Sequence, residues 1–222
     1  IRYHDLGRKM IWRKIDELKK NTDWDYYHYD SKCLERDSKD RKLINHISIS
    51  DEDIDTNLDV IKKSEIFLTQ METPYSTTMY ALKKAKDNDC LTILNPAPAR
   101  KINENDFELL DFFTPNETEA EFYYNKKIET NEDIKSAAKE FLNRGVKNII
   151  ITLGEKGIYF ANKNEEYFVD ALKLKNEVVD TTGAGDAFNG AFAVALANKF
   201  KHKDALIFAN KVAGISTTRL GA

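Results

Sequence analysis

Residues 180–190 read DTTGAGDAFNG. Two aspartates, Asp180 and Asp186, bracket a run of small residues, and an apolar helical pattern, AFNGAFAVALA, follows at residue 187. Gly183 and Gly185 let backbone amides approach a ligand closely. A helix N-terminus adds unpaired amides and partial positive charge, so phosphate is the natural guest. The loop is no Walker A motif, because no Gly-Lys-Ser/Thr appears, and GAGDAF lacks the third glycine of a dinucleotide fingerprint. Position 186 instead places a carboxylate at the anion site. A loop that only bound phosphate would avoid that repulsion. A carboxylate that takes a proton from an attacking hydroxyl belongs there. The alternative is that Asp186 simply caps the helix, and the loop alone leaves both readings open.

The elements that must position this loop follow from periodicity. Residues 7–21 place Met10, Ile11, Ile15 and Leu18 at helical spacing. Residues 22–47 are polar and aromatic with no regular pattern, and their charge run reads as solvated surface. From residue 51 the order improves. DEDIDTNLDVIKKS reads as a helix with an acidic first turn. EIFLTQ is a buried strand, residues 73–89 a helix with Pro74 near its start, and CLTILN a second strand that NPAPAR must end. A short helix over INENDFELLD, a strand end at FF and a helix over TPNETEAEFYY come next. Residues 131–145 form an amphipathic helix closed by Gly145, and VKNIIITLG is a β-branched strand. Residues 157–172 read as a hairpin turning near Lys163-Asn164, and a last helix covers about 203–218. Alternating strands and helices predict an α/β fold, a parallel sheet with helices on both faces. Ligands of such sheets sit beyond the carboxyl ends of the strands. QMETP, NPAPAR, TPNETE and TLGEKG all fall at strand ends, which points to one composite site.

The chain has 222 residues, 41% hydrophobic and 32% charged, with a net charge of −3. That suits a globular protein and supplies no broad basic field for nucleic acid. No apolar run approaches the roughly 20 residues of a membrane span. The start, IRYHDLGRKM, has neither an initiator Met nor a signal core, so the chain is expected to begin inside a longer product. Cys33 and Cys90 give no metal spacing and read as reduced thiols, which favours the cytoplasm.

DTTGAGDAFNGAF resembles the C-terminal signature of the ribokinase-type carbohydrate kinases. QMETP, NPAPA, TPNETEAE, ITLGEKG and TRLGA match further family motifs in register, over about residues 45–222. The resemblance implies a ribokinase-like three-layer αβα sandwich with a mostly parallel sheet and a small β-sheet lid. It implies ATP-dependent phosphorylation of a sugar. Within the family, NPAPA and QMET point to D-ribose, phosphorylated at its 5-hydroxyl to ribose 5-phosphate. On this resemblance Asp186 is the catalytic base and touches the sugar, and Gly183, Ala184 and Gly185 form the anion hole with it. Glu72 would bond sugar hydroxyls. Asn116 would lie near the nucleotide phosphates, and Glu119 would organise Mg²⁺ through water. Thr152, Leu153, Gly154, Glu155, Lys156 and Gly157 form the nucleotide-binding turn, with Gly185 and Asp186 near the phosphates and Asn210 beside adenine. A potassium site would use Asp180, the carbonyl of Thr182 and backbone oxygens of Ser216, Arg219 and Gly221. Its last ligand would lie beyond Ala222. Each assignment has a plainer alternative. Asn116 and Glu119 make a helix cap, Gly154 an ordinary turn, Glu72 a helix-start acid, Asp180 an N-cap, and Asn210 a surface residue.

The chain also departs from the family. The family's sugar-binding Asp near the first strand and its Gly-Gly-Lys-Gly-Ala-Asn loop are absent. Residues 22–47 fall where part of the lid belongs. The expected organisation is a diverged or incomplete region over 1–47, holding a lid remnant, and a nucleotide-binding and catalytic core over 48–222. The family's homodimer depends on an intact lid. A sheet without its first strands would expose apolar edges. The leading expectation is therefore a ribose kinase. The alternatives are a related sugar or nucleoside kinase, or a non-catalytic nucleotide-binding remnant.

Overall fold

A computed structural model of the protein describes residues 49–173 and 177–220. The helix expected over 7–21, the lid remnant over 22–47 and Gly221 lie outside the described residues.

Local chemistry sets the helix starts. Three begin with reciprocal capping boxes. Ser50 and Asp53 open α1 (Asp51–Thr56), Asn116 and Glu119 open α4 (Glu117–Tyr124), and Thr130 and Asp133 open α5 (Asn131–Asn143). The single helix expected from residue 51 is instead two short ones, α1 and α2 (Leu58–Lys62). Asn57 divides them. It leaves helical geometry at φ −102°, ψ 14°, and its amide and its Nδ2 both donate to the Asp53 carbonyl, at 3.2 and 2.9 Å. Helix α3 spans Tyr75–Asp87, and the INENDFELLD helix is a 3-10 turn over Glu104–Leu109.

The strands are β1 (Ile66–Thr69), β2 (Leu91–Leu94), β3 (Phe112–Phe113), β4 (Asn148–Thr152), β5 (Ile158–Asn162) and β6 (Glu166–Val169). They lie side by side in that order among the described residues. Pairing is parallel from β1 to β4 and antiparallel from β4 to β6. The α/β class therefore holds, with the hairpin where the sequence placed it.

Strand residues alternate between two buried clusters. Leu94, Phe113, Ile149, Ile151, Tyr159 and Ala161 face α3, α4 and α5. Ile93, Phe112, Ile150, Ile158 and Phe160 face α6 (Ala184–Ala197) and α7 (His202–Ser216). That makes three layers. Aromatic edges lock both faces, with Phe113 against Phe141 at 5.5 Å and Phe112 against Phe192 at 5.1 Å.

The amino ends of the strands hold a buried acid. Asp111, just before β3, is 9% exposed. Its Oδ1 accepts from Lys86 Nζ at 2.8 Å and Lys147 Nζ at 2.7 Å, and its Oδ2 from the Thr92 amide at 2.9 Å. Burial pushes its carboxyl up, but the bonds from Lys147, Lys86 and Thr92 outweigh it and hold it below the usual range. A depressed folded value means stability that is present above the unfolded value and lost as pH falls through the folded one. Asp111→Asn should cost about 1–3 kcal/mol at pH 7. The gap to the parent should narrow as pH drops below about 4. Urea unfolding at pH 7 and pH 3 checks both statements.

Candidate active site

At the carboxyl ends of the parallel strands the chain places amides and hydroxyls instead of apolar side chains. Gln70 follows β1, Asn95 follows β2 and Thr114 follows β3. Asn95, Thr114 and Asn189 of α6 are 7%, 1% and 4% exposed, so each needs partners within the protein. They find them in one another. Asn95 Nδ2 donates to the Thr114 carbonyl at 3.0 Å, and Gln70 Nε2 donates to Asn95 Oδ1 at 3.0 Å. The same Gln70 amide donates to Asp186 Oδ1 at 2.7 Å. Thr114 Oγ1 donates to Asn189 Oδ1 at 2.7 Å, and Asn189 Nδ2 donates to the Gly185 carbonyl at 2.9 Å. Since Gly185 adjoins Asp186, these bonds close a ring.

Helix α6 begins within that ring. Its N-cap is Gly183, at φ 73° and ψ 3°, a left-handed conformation that glycine adopts without strain. No side chain caps this helix. Asp186 is its third residue, so the capping alternative fails for Asp186: its carboxylate reaches across to Gln70. Asp180 is not the N-cap either, and its Oδ1 accepts from the Thr182 amide at 2.9 Å. The Ala184 amide turns to the Thr181 carbonyl at 3.2 Å and the Ala187 amide to Gly183 at 2.8 Å. Between them, the Gly185 and Asp186 amides have no acceptor among the described residues. A Cβ at Gly185 would meet nothing within 4 Å, so the helix start is uncrowded at that residue.

The remaining predicted residues form three groups. Asn116 bridges to Thr152, whose amide donates to the Pro115 carbonyl at 3.0 Å, which joins the α4 cap to the turn after β4. Asn116 and Glu119 do make the capping box: Asn116 Oδ1 accepts from the Glu119 amide at 2.8 Å and Glu119 Oε2 from the Asn116 amide at 2.9 Å. Burial pushes the Glu119 carboxyl up, and the Asn116 amide opposes that. Its Oε1 makes no hydrogen bond with the described residues.

In the second group, Leu153 and Gly154–Lys156 form a tight turn in which the Leu153 amide donates to the Gly157 carbonyl at 2.8 Å. Glu155 is exposed, and Lys156 Nζ donates to Glu117 at 3.2 Å. Gly157 packs against Val169–Ala171, while Asn210 Nδ2 donates to the Asp170 carbonyl at 2.8 Å. Two residues expected on the nucleotide side thus converge at Asp170. In the third group, the Val179 and Asp180 amides both donate to the Thr217 carbonyl, at 2.8 and 3.1 Å. That brings the Asp180–Thr182 loop to the Ser216–Arg219 turn, in which the Arg219 amide donates to the Ser216 carbonyl at 3.3 Å. Glu72 is exposed and bonds to none of these, although its neighbour Met71 ties its loop to NPAPA through the Ala97 carbonyl at 2.9 Å.

Among the described residues no three His, Cys, Asp or Glu side chains cluster as a metal-binding group, and no helix is long and apolar enough to cross a membrane.

The pfkB family carbohydrate kinase profile matches residues 35–222. The chain belongs to that family. It is 36% identical over 179 residues to a ribokinase of Staphylococcus aureus, covering 80% of this chain and 58% of that one. It is 38% identical over 146 residues to a deoxyribokinase of Salmonella typhi, covering 65% and 47%. Among solved structures, Arabidopsis thaliana ribokinase complexed with ribose and ATP superposes with a TM-score of 0.72 at 32% identity, over 79% of this chain and 55% of that one. The chain thus spans about half the length of the curated relatives it matches.

Sequence reasoning named Asp186 and its loop but missed Gln70, Asn95, Thr114 and Asn189. Their only signal was position: three sit at the strand ends already singled out, and Asn189 lies one helical turn after Asp186.

The turn itself is testable. At Gly157, φ is 99° and a Cβ would lie 2.0 Å from the Val169 carbonyl oxygen. Gly157→Ala should therefore destabilise by roughly 2–4 kcal/mol, read as a shift of the urea midpoint with unchanged slope.

Proposed function

We propose that the chain carries the phosphoryl-transfer half of an ATP-dependent sugar kinase, with Asp186 as the base. The observation that carries this reading is a carboxylate fixed on the first turn of α6 beside two free amides. Asp186 takes the proton from a sugar hydroxyl, whose oxygen forms a bond to the γ-phosphorus of ATP. The bond from that phosphorus to the β-phosphate bridging oxygen breaks, and ADP leaves. The Gly185 and Asp186 amides stabilise the charge on the transferring group, while Ala184 shapes the turn.

D-ribose at its 5-hydroxyl is the favoured acceptor. The ribokinase relatives and the QMET and NPAPA segments support it, and Glu72 stands exposed to reach a hydroxyl. A deoxyribose is the second reading, supported by the deoxyribokinase relatives. The Thr152–Gly157 turn, Asn116 and Asn210 bind the nucleotide.

The donor set fits Mg²⁺ held through water: Glu119 offers one carboxylate oxygen beyond its cap, and magnesium keeps several waters on few protein ligands. That ion, when bound, neutralises phosphate charge. The convergence of the Asp180–Thr182 loop with Ser216 and Arg219 fits K⁺, with Gly221 the further ligand expected. A cation there would order the α6 loop without touching substrate. The protein acts in the cytoplasm, and any homodimer follows the family's lid.

The test is a coupled ADP-release assay with ATP, magnesium and potassium against ribose, deoxyribose and a small sugar panel. Asp186→Asn should lower turnover roughly 10²–10⁴-fold and leave ATP affinity within a few fold. Near-normal turnover in that variant would sink the base assignment. Potassium should raise the rate above that in a large organic cation, and equal rates in the two salts would refute the cation site.

A further inference from the structure

The base of this reaction has one side-chain partner. Among the described residues Asp186 forms no ion pair, and Gln70 Nε2 at 2.7 Å is the only side-chain donor to its carboxylate. Gln70 lies 116 positions earlier in the chain, so this contact exists only because the fold brings the end of β1 to the start of α6.

The direction of that bond is forced from a distance. A main-chain carbonyl can only accept, so the Thr114 carbonyl demands the NH₂ of Asn95. Asn95 must then turn its oxygen to Gln70. Gln70 must answer with its NH₂, whose second hydrogen meets Asp186 Oδ1. On the other side the Gly185 carbonyl fixes Asn189 in the same manner, and Asn189 receives the Thr114 hydroxyl. No amide in the ring can flip without leaving a buried group unpaired. A donor is therefore always presented to Oδ1, and Oδ2 is the oxygen left to take a proton.

We propose that Gln70 is a positioning residue for Asp186, held in its donating orientation by Asn95 and the Thr114 carbonyl, and that it fixes the side-chain rotamer from which Asp186 Oδ2 accepts the hydroxyl proton. This rests on Asp186 being the base. Gln70 itself transfers nothing. One feature separates it from simple structural support. It bonds the carboxylate directly, whereas Asn189 secures the backbone of the same helical turn.

The decisive measurement uses the full chain and no substrate. Three-bond carbon and nitrogen couplings of the isotope-labelled Asp186 side chain report its χ1 angle. The parent should give the couplings of one staggered rotamer. In Gln70→Leu they should collapse toward a rotamer average. In Gln70→Glu, which keeps the shape but sets two carboxylates side by side, the parent rotamer should be abandoned. The isosteric variant keeps the test valid if the leucine variant folds poorly. In the ribose assay Gln70→Leu should lower kcat about tenfold while KM for ATP stays within twofold, the pattern of a lost transition-state interaction. Parent-like couplings in both variants would overturn the proposal. The outcome is separable from the base assignment: that falls if Asp186→Asn turns over normally, whatever the couplings show.

Discussion

A buried polar group must find a partner, because leaving one unpaired costs about 1–3 kcal/mol. The carboxyl edge of this sheet is arranged by that constraint. Parallel strands are covered on both faces, so their ends emerge into a region walled by helices. Asn95, Thr114 and Asn189 sit there almost without solvent. Tyr167 Oη is the sole buried side-chain polar atom without a partner among the described residues, and it lies on β6, apart from the ring residues that follow β1, β2 and β3. The network at the strand ends is complete, and completeness makes it rigid. That rigidity holds the Asp186 carboxylate, which stands on an exposed helical turn, to one partner.

Electrostatics then assigns the roles. The start of α6 carries partial positive charge and two unoccupied amides. It attracts negative charge, whether of a bound anion or of a carboxylate in its first turn. Both guests want the same field, and the ring resolves the competition geometrically. Gln70 draws Asp186 toward β1, and the Gly185 and Asp186 amides stay without an acceptor among the described residues. The left-handed Gly183 is what lets the chain turn sharply enough into the helix for both arrangements to coexist.

Most of the fold was legible because it is written in local periods. The alternation in NIIIT and IYFAN sorts residues onto two faces, and both faces are occupied as the pattern demands. One of the three capping boxes was legible, Asn116 with Glu119. The loop before α6 was legible as the start of a helix rich in small residues, and the helix does begin there, with Gly183 as its N-cap. What could not be read was the ring. Gln70 to Asp186, Asn95 to Thr114 and Thr114 to Asn189 join residues 116, 19 and 75 positions apart, and no local period encodes such pairs. Sequence flagged the segments that contain them as odd strand ends, which is a statement about place and not about partnership. Asn57 shows the converse limit. Its non-helical φ of −102° and ψ of 14° divide a helix whose pattern runs on without a break.

Glu119 shows why the plainer and the functional readings of one residue need not compete. Its cap uses Oε2 alone, facing the Asn116 amide. The bond holds the carboxylate in one orientation over the helix start. Burial penalises its charged form, and a nearby cation would relieve that penalty more than a second hydrogen bond could. The same carboxylate therefore stabilises α4 through one oxygen and leaves the other, Oε1, without a hydrogen bond among the described residues. The bridge from Asn116 to Thr152 joins that cap to the turn after β4. A cap that looks merely structural thereby ties the start of α4 to Thr152, so the two segments proposed to hold the nucleotide move as one.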